Sequence, residues 1–241
     1  MKNKINISVC VPAYNEAATL EDAVCDLFRT LSPCVGELEI IIVNDGSSDA
    51  TGEICERLLG VYPQLKLITH RNNRGVGVAY RSALKIAKGD YFAWFPADYE
   101  DTANEFLLCL PHVDKDTVVT CHHRDCDRRS WPRRCLSKLY AWTLNKCFKG
   151  KLKYYNGMSI FPTKIVKSFP LVCDGFFLFP ENLVRAVKKG LRVIEVSAPL
   201  RGRQRGASKM FSARSLRQMG KDAIKILLES IGHQKPNRKT I

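Results

Sequence analysis

The chain has 241 residues, of which 45% are apolar, enough for a substantial buried core in one large α/β domain or two small ones. Lys and Arg number 38 against 24 Asp and Glu, a formal charge of +14 that points to an anionic partner: nucleic acid, an acidic membrane surface or a phosphorylated substrate. No uncharged apolar run approaches the roughly 18 residues of a membrane span, and Ile5 to Val11 is too short and polar for a signal-peptide core. Ten scattered cysteines without a C-x-x-C pair fit a reduced compartment better than a disulfide scaffold.

In chain order, Ile5 to Val11 reads as an apolar strand that breaks at Pro12. Leu20, Val24, Leu27, Phe28 and Leu31 give helical spacing over 19–31. Leu38 to Val43 is a second strand, ending at Asn44-Asp45-Gly46. Asp49 or a neighbouring serine can cap a helix over 51–59. Leu65 to Thr69 is a third strand and Val76 to Ala87 a third helix, while His70 and His112 read as surface or turn residues. Tyr91 to Phe95 is a short buried strand stopped by Pro96. The alternation βαβαβαβ implies parallel strands with helices on both faces. No G-x-G-x-x-G follows the first strand, so a dinucleotide fingerprint is absent.

The second half is less regular. Strands are expected over 117–121 and 191–196, and an apolar stretch lies at Tyr155 to Phe161. Helices are expected over 135–148 and over 176–188, the latter interrupted near Pro180. Leu216, Met219, Ala223, Leu227 and Ile231 stripe a closing helix, and the tail 233–241 is basic and flexible. The helix over 135–148 carries Trp, Tyr and lysines, which suits either a core helix or one lying at a membrane interface. Cys121, His122, His123 and Cys126 do not have the spacing of a structural zinc site and read as incidental.

Chemistry concentrates past the fourth strand, where Asp98, Glu100 and Asp101 follow one another closely. In open α/β sheets ligands bind beyond the carboxyl ends of the strands, and carboxylates there suit a hard divalent cation. Taken alone, three acidic residues are better explained by a solvated turn. Four stretches in one order change that: VPAYNE at 11–16, VNDGSSD at 43–49, PADYED at 96–101 and RGRQRGASK at 201–209.

Together these resemble family 2 glycosyltransferases of the GT-A fold, with the closest likeness to the polyprenyl- and dolichyl-phosphate sugar transferases, over about residues 5–230. The resemblance implies a Rossmann-like, mostly parallel sheet in a single domain over 1–232, with a nucleotide-binding half at 1–101 and an acceptor-binding half at 102–232. Pro12, Tyr14, Glu16 and Asp45 would line the nucleotide pocket, with Asp45 accepting from ribose or base. The family's D-x-D reads here as Pro96-Ala-Asp98, so the first carboxylate is missing; Asp98 and Glu100 would hold Mg²⁺ or Mn²⁺. Arg203, Ser208 and Lys209 match the lipid-phosphate branch's R-x-x-G-x-S-K, and Arg133 with Ser137 matches its Arg-x-x-x-Ser. Either His123 or Arg124 matches that branch's arginine after the fifth strand. Asp98, Arg203 and Lys209 would carry catalysis by charge neutralisation and positioning. Gly175 to Val187, with Glu181, also resembles that branch, and Glu181 reads as a residue that orders the acceptor side.

The implied activity is inverting transfer of a sugar from a GDP- or UDP-linked donor to a polyprenyl phosphate, by a protein peripheral to the cytoplasmic face of a membrane. A lipid phosphate, with a second pKa of about 6, is largely dianionic at neutral pH and needs no strong general base. A saccharide or protein hydroxyl would need one, and Asp101 is the nearest candidate. A third reading is a non-catalytic basic binding module. No nucleic-acid motif is recognisable, so nucleic acid is not an expected partner.

Overall fold

The computed structural model describes residues 4–99, 102–123, 131–148, 150–198 and 213–232. One sheet of seven strands runs through it, in the order β3-β2-β1-β4-β6-β5-β7. β1 (Ile7–Ala13), β2 (Leu38–Asp45), β3 (Leu65–His70) and β4 (Tyr91–Trp94) are parallel to their neighbours, as the βαβ alternation requires. β6 (Ser159–Pro162) inserts antiparallel between β4 and β5 (Thr117–His123), and β5 pairs parallel with β7 (Arg192–Ala198).

Parallel strands covered on both faces need apolar side chains at every position, which explains the unbroken Ile and Val runs. The pleat then sorts them. Val9, Val11, Ile40 and Ile42 pack into one core, while Cys10, Ile41 and Val43 pack into the other. The first core is covered by α1 (Leu20–Leu31), α2 (Thr51–Val61) and α4 (Asn104–Cys109). α1 supplies Leu20, Ala23, Val24, Leu27 and Leu31, a stripe at helical spacing. The second core is covered by α3 (Val76–Ile86), α5 (Trp131–Phe148), α6 (Thr163–Lys167), α7 (Leu178–Lys188) and α8 (Ala213–Gly232). Met219 and Ala223 of the expected α8 stripe do pack there, with Ile226. Among the described residues, no helix is long and apolar enough to cross a membrane.

The structure departs from the sequence reading in a few places. β1 runs through Pro12 to Ala13. Its ladder with β4 ends at Cys10–Trp94, so beyond that point β1 has an open flank where a missing N–H is tolerated. Pro180 does not interrupt α7. It falls in the first turn, where its N–H would have had no helical acceptor. α5 begins at Trp131, four residues before its expected start. α4, α6 and the antiparallel strand β6 were not anticipated.

Candidate active site

Four loops meet at the carboxyl edge of β3-β2-β1-β4. The β1–α1 and β2–α2 loops are laced together. Asn15, held at φ 51°, donates its backbone N–H to Ser47 Oγ (3.0 Å) and accepts from the Ser48 N–H at Oδ1 (2.8 Å). The Glu16 N–H donates to Thr51 Oγ1 at 2.9 Å, and Asp49 accepts from the N–H groups of Thr51 (3.0 Å) and Ala17 (3.3 Å). Asp49 thus meets the N–H of the first residue of α2, but from one position before the N-cap, which is Ala50, and the helix has no side-chain cap hydrogen bond. Pro12 and Glu16 are half-buried and Tyr14 is exposed along this edge.

Asp45 is the last residue of β2 and is buried. Its Oδ1 lies 2.6 Å from Nδ1 of His70 and accepts from the Arg74 N–H at 3.0 Å, while Oδ2 accepts from the Gly75 N–H at 2.8 Å. A carboxylate facing the amides that open α3 also meets the positive end of the helix dipole. His70 closes β3 directly beside Asp45 in the sheet register, and its Nε2 lies 3.1 Å from Ser82 Oγ on α3. The surface or turn placement expected for His70 is therefore corrected: it is 8% exposed and belongs to the wall behind Asp45. The strand runs one residue longer than the apolar run, which is what turns this ring inward. His112 is exposed, as expected.

Past β4, Pro96 to Tyr99 form a turn, with Ala97 buried, Asp98 half-buried and Tyr99 left-handed at φ 52°. β4 neighbours β1, so Asp98 follows a strand that ends at the same edge as Pro12 and Asp45. Its oxygen donor suits Mg²⁺ or Mn²⁺. The second expected ligand, Glu100, and Asp101 lie outside the described residues, and among the described residues no group of three His, Cys, Asp or Glu side chains could hold a metal. Ser137 is half-buried on α5. Arg133 falls in the same helix, but its side chain is outside the described part, as are Arg124, Arg203, Ser208 and Lys209 altogether.

The second half of the chain reaches this edge through residues 172–175. The Gly77 N–H donates to the Asp174 carbonyl at 2.8 Å, and Arg81 bonds both the Cys173 carbonyl and the Asp174 carboxylate. From behind, Glu181, fully buried, accepts from the N–H groups of Val172 (3.0 Å) and Cys173 (3.0 Å). Arg185 holds Glu181 through Nε at 2.9 Å and bonds Glu229 of α8 at 3.1 Å. Glu181 therefore orders the backbone at Val172 and Cys173, and that segment abuts the start of α3. Arg81 and His70 were not singled out as site residues from the sequence. A basic residue and a histidine without a motif carry no signal until register and packing place them.

Comparison with known proteins fits this geometry. The profile of glycosyl transferase family 2 matches residues 8–166. Chondroitin synthase of Pasteurella multocida is 32% identical over 115 residues, 48% of this chain and 12% of that one. Glycosyltransferase AglD of Haloferax volcanii is 26% identical over 231 residues, 92% of this chain and 37% of its own length. This chain therefore spans well under half the length of either relative. Among solved structures, glucosyl-3-phosphoglycerate synthase of Mycobacterium tuberculosis, in complex with Mn²⁺, UDP-glucose and phosphoglyceric acid, superposes with a TM-score of 0.69 at 20% identity, covering 95% of this chain and 80% of that one. With a matching fold and a profile that spans more than half its residues, the chain belongs to glycosyl transferase family 2.

Proposed function

We propose that the protein is a metal-dependent, inverting glycosyltransferase that uses a nucleotide sugar and delivers the sugar to a polyprenyl phosphate. The observation that carries the donor half is the placement of Tyr14, Asp45 and Asp98 at the carboxyl ends of three adjacent parallel strands, within the stretch that matches the family. Tyr14 and Asp45 hold the nucleoside, and Pro12 and Glu16 shape the pocket. Asp98 and Glu100 would hold Mg²⁺ or Mn²⁺, which would supply stabilisation of the charge on the departing diphosphate. The relative crystallised with Mn²⁺ and UDP-glucose supports this choice of donor and ion.

The acceptor half rests on sequence and surface. Arg203, Ser208 and Lys209 are the residue types that grip phosphate by bidentate, hydroxyl and point-charge contacts, with Arg133 and Ser137 supplying further ones and Arg124 another. The acceptor dianion attacks the anomeric carbon opposite the diphosphate, and no proton need be removed. α5 buries Ala141, Leu144 and Phe148 while exposing Trp131, Leu139 and Trp142 beside Lys138. Aromatic, aliphatic and cationic groups on one exposed surface suit an anionic bilayer, and this favours peripheral attachment at the cytoplasmic face of a membrane.

A second reading keeps the donor and changes the acceptor to a water-soluble hydroxyl compound; the names chondroitin synthase and glucosyl-3-phosphoglycerate synthase favour it. Radiolabelled GDP- and UDP-sugars, offered with polyprenyl phosphate and Mn²⁺, separate the two. The lipid reading expects label in the organic phase, reduced by Arg203→Ala and Lys209→Ala. Label found only in water-soluble product, or transfer indifferent to both substitutions, would leave the second reading standing.

A further inference from the structure

We propose that His70 is a positioning residue for nucleotide recognition, acting through Asp45; the proposal rests on the reading of Asp45 as the nucleoside's partner. Three protein donors meet the Asp45 carboxylate: His70 Nδ1, the Arg74 N–H and the Gly75 N–H. The Arg74 N–H is shared between Oδ1 (3.0 Å) and Oδ2 (3.1 Å), so three N–H groups make four contacts with a carboxylate that offers about four lone-pair sites, and a base N–H or ribose hydroxyl would take up the share that Arg74 divides between the two oxygens. The two amides belong to the turn that opens α3 and approach from one direction. His70 is the one side chain among the three, and its 2.6 Å contact sets the rotation of the carboxylate about its own axis. The ring is itself fixed. Sheet register sets it beside Asp45, burial keeps water away, and Ser82 Oγ stands 3.1 Å behind Nε2. In the neutral ring this fixes one tautomer: Nδ1–H donates to Asp45, and Nε2 accepts from the Ser82 hydroxyl. The same arrangement orients metal-bound histidines through a carboxylate; here the roles are exchanged, and the histidine orients the carboxylate.

The chemistry separates this role from simple packing. Phe preserves the bulk of the ring but has no donor. Asn is smaller, yet its amide nitrogen takes the place of Nδ1. Gln sends its nitrogen toward the place of Nε2, away from Asp45. Affinity of the full chain for UDP and for GDP, each with Mn²⁺, is measured by calorimetry for His70→Phe, His70→Asn, His70→Gln and Asp45→Asn, with thermal unfolding of each variant alongside. The nucleotide that wild type binds should bind His70→Phe and His70→Gln roughly tenfold or more weakly and His70→Asn within about threefold, since a hydrogen bond to a charged group is at stake. Should His70→Phe fail to fold, the Asn and Gln pair decides alone. Weakened binding by Asp45→Asn with full affinity in His70→Phe overturns the proposal and leaves Asp45 as a ligand. So does an Asn variant as weak as the Phe or Gln variant. Undiminished binding by Asp45→Asn, or no binding of either nucleotide by wild type, overturns the reading of Asp45 and the proposal with it.

Discussion

Gly77 shows how little room a single position leaves at this site. A Cβ there would stand 2.2 Å from the Cys173 carbonyl oxygen and 2.8 Å from the Asp174 carbonyl carbon, both backbone atoms that cannot swing aside. Gly77→Ala should therefore cost about 1–3 kcal/mol in denaturant unfolding, as an overpacked core site does. Gly60, in the last turn of α2, has nothing within 4 Å of the same position, and Gly60→Ala should stabilise by up to about 1 kcal/mol through helix propensity. Two glycines that look alike in the sequence should thus move the unfolding midpoint in opposite directions. Glu105 makes a different point. It is buried on α4 with neither carboxylate oxygen bonded, and burial, helped by the adjacent Cys121 thiol, pushes its pKa from 4.5 up to about 8. An acid raised in this way holds its proton in the folded state after the unfolded chain has lost it. Stability should fall as pH rises from about 4.5 through about 8, and Glu105→Gln should flatten that part of a melting-temperature profile. An unchanged profile would mean that the carboxyl finds a partner when ionised.

The elements divide by how much local pattern each carries. β1 to β3 and α1 to α3 were legible because long apolar runs and helical stripes dominate their windows. β6 was not, since Ser159–Pro162 is four residues long and its antiparallel insertion depends on β4 and β5 rather than on its own residues. α4 is six residues long and is fixed by tertiary contacts: the Ala103 N–H donates to Asp26 of α1 at 2.9 Å, and Phe106 packs on Phe95. α7 shows one element serving another. Its Glu181 carries two backbone amides and the half-buried Arg185 guanidinium, so removal strands two donors and leaves Arg185 with Glu229 alone. Glu181→Ala should cost about 3–5 kcal/mol, the range for breaking a buried pair. Urea unfolding checks this, and a loss below about 1 kcal/mol would show that Glu229 and water replace the carboxylate.

On the scale of the whole molecule, two features decide what can be said of function. A parallel sheet ends every strand of its first half at one edge, so Tyr14, Asp45 and Asp98, far apart in sequence, stand at the ends of three neighbouring strands. The order of motifs in the sequence is what proposes that half of the site, with Pro96 where the family pattern has a carboxylate. What it left hidden was the wall behind Asp45. That wall depends on which residue of β3 falls opposite which residue of β2. The phosphate cradle expected from Arg203 to Lys209 lies outside the described residues, and the acceptor half stands on that motif and on the exposed face of α5.

The proposed function requires this edge to bind a nucleotide sugar through a divalent cation held at Asp98. Calorimetric titration of UDP- and GDP-sugars into the wild-type chain and into Asp98→Asn, each with Mn²⁺ and with a chelator, tests it most directly. Wild type should bind at least one donor saturably, with binding abolished by chelation and weakened tenfold or more by Asp98→Asn, the loss of about 1.4 kcal/mol or more. Binding that is equally tight with chelator, or equally tight in Asp98→Asn, would contradict it.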